Sequence, residues 1–224
     1  MKKTSNYFVA IRSGIKSPKP KTVESQDKPK FIIKQKDSDQ THVVLGVRTF
    51  DVFNEKRFVL DVLSDILGGG MSSRLFQRVR EEMGAAYYVR SDTELLLDHG
   101  YFAASFGVNN DRLLDSVRAV IEEFKKLKEE QVSKEELQRA QDHLIGNMMV
   151  NLETSDDLAR FYGGQEIMTG SVLSPKEFEE RIRAVTLEEI KDLAGSTFQN
   201  SKLNLAAIGP VKDREALQKE LNLD

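Results

Sequence analysis

Residues 67–87 read Leu67-Gly68-Gly69-Gly70-Met71-Ser72-Ser73-Arg74-Leu75-Phe76-Gln77-Arg78-Val79-Arg80-Glu81-Glu82-Met83-Gly84-Ala85-Ala86-Tyr87. Upstream, Phe58, Val59, Val62, Leu63 and Ile66 recur at helical spacing, so a helix over 54–67 runs into the three glycines. Three glycines in a row favour positive φ and cost helix stability, so they end it. Ser72 is placed to N-cap a second helix over 73–83. Beyond Gly84 the pattern turns to strand: 86–96 is one, and in 101–108 Phe102, Ala104, Phe106 and Val108 alternate against Tyr101, Ala103, Ser105 and Gly107. Asp98-His99-Gly100 supplies the turn between them.

Outward from this block, 41–49 is a β-branched run of strand length. Leu113, Leu114, Val117, Val120, Ile121, Phe124 and Leu127 make one long helical stripe. Ser133 and Glu136 form a capping box that opens the next helix, whose inner face is Leu137, Ala140, Leu144, Ile145 and Met148. Ser174-Pro175-Lys176-Glu177 and Thr186-Leu187-Glu188-Glu189 are two further helix starts. Before them 155–168 reads as a helix weakened at Gly163-Gly164, and after them come a strand over 202–208 and a short helix over 213–221. Strand, helices, hairpin, many helices, strand is an α+β order, with helices on one face of a largely antiparallel sheet.

The 224 residues carry 33 Lys+Arg against 36 Asp+Glu, a formal net charge of −3, which lacks the basic excess of a nucleic-acid binder. No cysteine is present, which excludes disulfide scaffolds, thiolate zinc sites, Fe–S clusters and a cysteine nucleophile. No apolar run approaches the ~20 residues that span a bilayer, and the stretch Tyr7-Phe8-Val9-Ala10-Ile11 is too short for a signal-peptide core. The expectation is a soluble chain without nucleic-acid or membrane partners, with the cytoplasm favoured. Residues 12–30 hold Pro18, Pro20 and Pro29 among lysines and read as an extended connector.

Catalytic constellations are sparse. His42, His99 and His143 lie far apart, none in His-x-x-Glu-His or its reverse, so no self-contained zinc site is expected. Ser72-Ser73 has no identifiable His or Asp partner. Glu122-Glu123 and Glu129-Glu130 sit beside lysines and read as solvated surface, with Glu122 and Lys126 an i,i+4 pair. Residues 68–73 lead into a helix N-terminus that can bind a phosphate, but the preceding segment is helical and no Gly-Lys-Ser/Thr follows.

The 67–87 block resembles the signature of the C-terminal, non-zinc half of the pitrilysin and mitochondrial-processing-peptidase family of inverted-zincin metallopeptidases. The likeness continues through the 40–45 strand, the hairpin to Val108, the helix start at 132–137 and the terminal strand over 203–209. It divides the chain into 1–30, tail of a preceding half and interlobe linker, and 31–224, the family's C-terminal domain. It implies the LuxS/MPP-like metallohydrolase fold, in which two homologous halves face each other around an unfolded peptide. One half holds zinc; the other lends an arginine and a tyrosine seven residues apart, positions that Arg80 and Tyr87 match here. The resemblance therefore implies no cofactor in this chain and no hydrolysis by it alone. It implies a zinc-bearing partner half, fused or separate, an unfolded peptide substrate, and homodimers in isolation as stand-ins for the missing half. The alternative on the same fold is a non-catalytic scaffold or partner-binding domain.

Overall fold

The computed structural model describes residues 19–224. The expectations for Tyr7 to Ile11 and for Pro18 lie outside the described residues. Five strands form one sheet: β1 (Lys30–Gln35), β2 (Gln40–Thr49), β3 (Ala86–Leu95), β4 (Gly100–Asn109) and β5 (Leu203–Gly209), in the order β1-β5-β2-β4-β3. Only β1 and β5 pair in parallel; the other three pairings are antiparallel. The expected α+β architecture, largely antiparallel with helices on one face, is what the chain adopts.

The alternation of each strand sorts its side chains. Val43, Leu45 and Val47 of β2, Phe102, Phe106 and Val108 of β4, and Leu203 and Leu205 of β5 point to the covered face and are buried. Against them pack α1 (Arg57–Gly68), α2 (Leu113–Glu129) and α6 (Leu187–Thr197). Phe102, Phe124 and Phe198 meet there, the first edge-on to the other two and those two stacked at 4.6 Å between centroids.

The remaining helices are α3 (Lys134–Asn151), α4 (Ser155–Thr169), α5 (Pro175–Ala184) and α7 (Arg214–Glu220). Capping boxes open α3 at Ser133 and Glu136, α5 at Ser174 and Glu177, and α6 at Thr186 and Glu189. Of the expected inner face of α3, Ala140 and Ile145 are buried, whereas Leu137, Leu144 and Met148 are half-buried; Gln141 is buried because its amide donates to carbonyls at the end of α5. Helix α4 runs unbroken through Gly163-Gly164 to a left-handed cap at Gly170, and it buries no residue.

Two features add to the expectations and one corrects them. β1 lies where the connector was read to end; its short Lys-flanked alternation gains meaning only from pairing with β5, far along the chain. The connector itself is tied down from Thr22 onward: the Thr22 amide donates to Asp98, Gln26 to the Leu203 carbonyl, and Glu24 faces Arg48. Glu123 is not solvated surface. It is 5% exposed and pairs with Lys126 at 2.6 Å and Arg74 at 3.9 Å, so the cation one turn away serves Glu123, not Glu122.

Candidate functional site

The glycine run works by closeness rather than by unusual backbone. None of Gly68, Gly69 and Gly70 has positive φ. A Cβ on Gly68 would lie 2.3 Å from the Ser91 backbone nitrogen, so the last turn of α1 can rest directly on β3 only because that position is glycine. Buried hydroxyls fasten the same contact: Ser64 donates to the Ser91 hydroxyl at 3.1 Å, and Ser91 to the Ser64 carbonyl at 2.5 Å.

The following helix also departs from expectation. Ser72 makes no capping bond; Ser73 instead turns back, its hydroxyl donating to the Gly70 carbonyl. From residue 74 the chain is helical, but Phe76–Glu82 winds as a π-helix. The wider π turn is uncommon and clusters at functional sites. It closes with the Met83 amide on the Arg78 carbonyl and the Ala85 amide on the Val79 carbonyl, and Gly84 takes φ +56°, a left-handed value that suits glycine.

Three arginines project from this segment, and they have different duties. Arg74 forks onto Glu136 with bonds of 2.8 and 3.1 Å, tying the segment to the start of α3. Arg78 pairs with Glu82 at 2.9 Å. Arg80 is exposed, and its guanidinium stands 4.9 Å from the Phe76 ring centroid, a cation–π contact that orients the group without using its donors. Among the described residues no carboxylate pairs with it.

Tyr87 enters β3 at a bulge. Ala86 pairs with Val108 and Tyr88 with Gly107, so Tyr87 is the extra residue, and both tyrosines reach solvent side by side, Tyr87 53% exposed. The Tyr87 hydroxyl donates to Asn109 Oδ1 at 2.7 Å, while the Asn109 backbone N–H donates to the Ala85 carbonyl. Tyr88 stacks on His42 with 5.9 Å between centroids, its hydroxyl 3.1 Å from Nδ1. The resemblance of residues 67–87 to the family signature selected Arg80 and Tyr87. It did not disclose the bulge, Asn109 or the His42–Tyr88 pair, because all three depend on the register of β3 against β4 and β2.

Among the described residues zinc finds no ligand set. His42 is engaged with Tyr88, His99 with Asp98 at 2.7 Å and His143 with Asp65 at 2.7 Å, and among the described residues no three His, Asp or Glu side chains gather as metal ligands. The phosphate reading at residues 68–73 also loses ground. The cavity of about 330 Å³ beside Gly70 and Ser73 is lined by Asp65 and Glu136 as well as Arg139 and His143, so its lining holds no excess of positive charge for an anion. No helix is long and apolar enough to cross a membrane among the described residues.

Comparison with known proteins agrees with this architecture. Residues 1–144 match the model of the Peptidase M16 inactive domain. An uncharacterized zinc protease of Streptomyces coelicolor is 34% identical over 179 residues, 80% of this chain and 39% of that protein. The uncharacterized zinc protease YmxG of Bacillus subtilis is 31% identical over 188 residues, 82% of this chain and 46% of that protein. The chain thus spans less than half the length of these relatives. Among solved structures, a protease from Helicobacter pylori superposes with a TM-score of 0.76 at 21% identity, covering 90% of this chain and 48% of that one. A peptidase M16 inactive domain from Pseudomonas fluorescens also gives 0.76, at 20% identity, covering 88% and 47%. An α+β sheet with helices packed on one face accords with the matched domain: the chain belongs to the pitrilysin, or M16, family of metallopeptidases as its inactive, non-zinc half.

Proposed function

We propose that this chain serves as the C-terminal half of a zinc metalloendopeptidase, holding an extended peptide and stabilising the charge that develops on its scissile carbonyl. The zinc belongs to a homologous half, in the same polypeptide or in a second subunit. The carrying observation is the sorting of the arginines: Arg74 and Arg78 are committed to carboxylates, whereas Arg80 keeps a free donor fork beyond the Phe76 ring. A planar guanidinium there can hold a substrate carbonyl, and the Tyr87 phenol can donate to an oxygen gaining negative charge. The π-helical turn, Gly84 and the β3 bulge fix both side chains on one short, backbone-bonded segment, which keeps the reorganisation needed during reaction small.

One observation favours a second reading, a non-catalytic scaffold or partner-binding domain: the Tyr87 hydroxyl is already donated to Asn109. Cleavage of an unstructured fluorogenic peptide decides between them. The chain is mixed with zinc and a His-x-x-Glu-His-bearing half from the same source. The catalytic reading expects cleavage by the mixture, none by the chain alone, and a loss of about 10²-fold or more for Tyr87→Phe. An inert mixture whose halves still associate would establish the scaffold instead.

A further inference from the structure

The bond between Tyr87 and Asn109 divides the two readings above, and the chain on either side of it is tied so as to keep it. Asn109 is the last residue of β4, and its exposed carboxamide accepts the phenol proton at 2.7 Å. The Asn109 backbone N–H donates to the Ala85 carbonyl at 3.3 Å, and Arg112 reaches the Met83 carbonyl at 3.4 Å. The chain leaving β4 is thereby fastened to the turn that leads into β3. Asn110 anchors it from the other side, accepting from the Thr41 hydroxyl at 2.8 Å and donating to the Ser38 carbonyl at 2.9 Å. The bulge therefore presents Tyr87 to a partner held in place by three other segments, and that partner aims the hydroxyl.

The partner's chemistry decides what the bond does. Asn109 Oδ1 is a neutral amide oxygen, an acceptor of the same kind as the carbonyl of an uncleaved peptide bond. Hydrogen bonds to an ionised acceptor are roughly twice as strong. A ground-state carbonyl therefore gains nothing by displacing Asn109, whereas an oxygen that has taken on negative charge does. An interaction made only in the transition state raises kcat, and one made equally with bound substrate does not. We infer that Asn109 is a positioning residue for the proposed reaction: it holds the Tyr87 phenol in place and gives up the phenol proton only to the developing oxyanion. The inference rests on the catalytic reading above and gives a role in it to the contact that favoured the scaffold.

The test uses the mixture of the chain, zinc and the His-x-x-Glu-His-bearing half with the fluorogenic peptide. Four forms of the chain are compared: unmodified, Tyr87→Phe, Asn109→Asp, and the two changes together. A carboxylate at 109 is itself an ionised acceptor and keeps the phenol proton, so Asn109→Asp is expected to lower kcat at least ~10-fold with KM within about twofold. With Tyr87→Phe there is no hydroxyl to hold, and adding Asn109→Asp should lower kcat by less than about twofold more. A merely structural role would lower kcat by the same factor on either background. In the chain alone, the 13Cζ resonance of Tyr87, assigned by its absence from Tyr87→Phe, should move in Asn109→Asp. Asn109→Ala replaces Asn109→Asp if circular dichroism shows that variant unfolded, with the same non-additivity expected. An unmoved resonance, an equal loss on both backgrounds, or no loss on the unmodified chain overturns the inference; a loss from Tyr87→Phe then still supports the catalytic reading. An inert mixture, or Tyr87→Phe as active as the unmodified chain, overturns both.

Discussion

The two faces of the sheet share five backbones and almost nothing else. On the covered face, β4 presents Phe102, Ala104, Phe106 and Val108, all fully buried under α2 and its neighbours. On the open face the same strand presents Tyr101, Ala103, Ser105 and Gly107. At Gly107 the His42 and Tyr88 rings fill the space a Cβ would take, the Tyr88 ring 2.5 Å and His42 Nδ1 3.2 Å from that point. One face is large and apolar and holds the fold together; the other mixes small and polar residues with the exposed Ile32, Val44 and Tyr101. Side-chain parity within single strands therefore separates residues that carry stability from residues that do not.

The largest expected break in this comparison is Phe102→Ala. Phe102 is fully buried and touches both Phe124 and Phe198, so truncation should cost about 3–5 kcal/mol, read as a lower urea midpoint. A loss below about 1 kcal/mol would mean that the aromatic trio is not the keystone of the covered face.

The next effect lies at the seam between layers, where α1 turns a carboxyl toward β3. Burial pushes Asp61 up to about 6 from 3.8, and the Thr93 hydroxyl and Arg57 charge only partly offset it. A carboxyl with a raised folded pKa binds more protons folded than unfolded, so its contribution is present below pH 4 and is lost as pH rises through about 6. Asp61→Asn should flatten that slope and raise stability at pH 7.5 by about 2 kcal/mol. Denaturation curves at pH 4.5 and 7.5 check it; an unchanged slope in the variant would assign the pH dependence to other groups, of which Asp65 is also raised by burial.

How far the sequence disclosed these features depends on the range of the interaction that creates them. The capping boxes at Ser133, Ser174 and Thr186 were legible because they act over three residues. The β4 alternation was legible because one strand displays it whole. Arg80 and Tyr87 were legible from a local block and its resemblance to a family. Strand β1, the burial of Glu123 and the β3 bulge were not: each exists only through partners elsewhere in the chain, β5 for the first, Arg74 for the second and β4 for the third. The glycine run was placed correctly as a stop, but its physical reason, the approach of α1 to within contact of Ser91, depends on a strand more than twenty residues later.

The smallest effect makes the sharpest form of the comparison, because it uses neighbours. Val43 and Val44 are adjacent on β2, opposite Phe106 and Ser105 of β4, with Val43 1% and Val44 47% exposed. Both have the same intrinsic strand preference and lose the same two methyl groups on truncation to alanine, so propensity cancels between them. What remains is burial. Val43→Ala should cost about 2 kcal/mol, the transfer of two buried methyls plus an unfilled space, while Val44→Ala should stay within about 0.5 kcal/mol. Equal stability losses for the pair would mean that the open face is covered in solution, by a second copy or by other chain, and that its exposed valine is a core residue of a larger assembly.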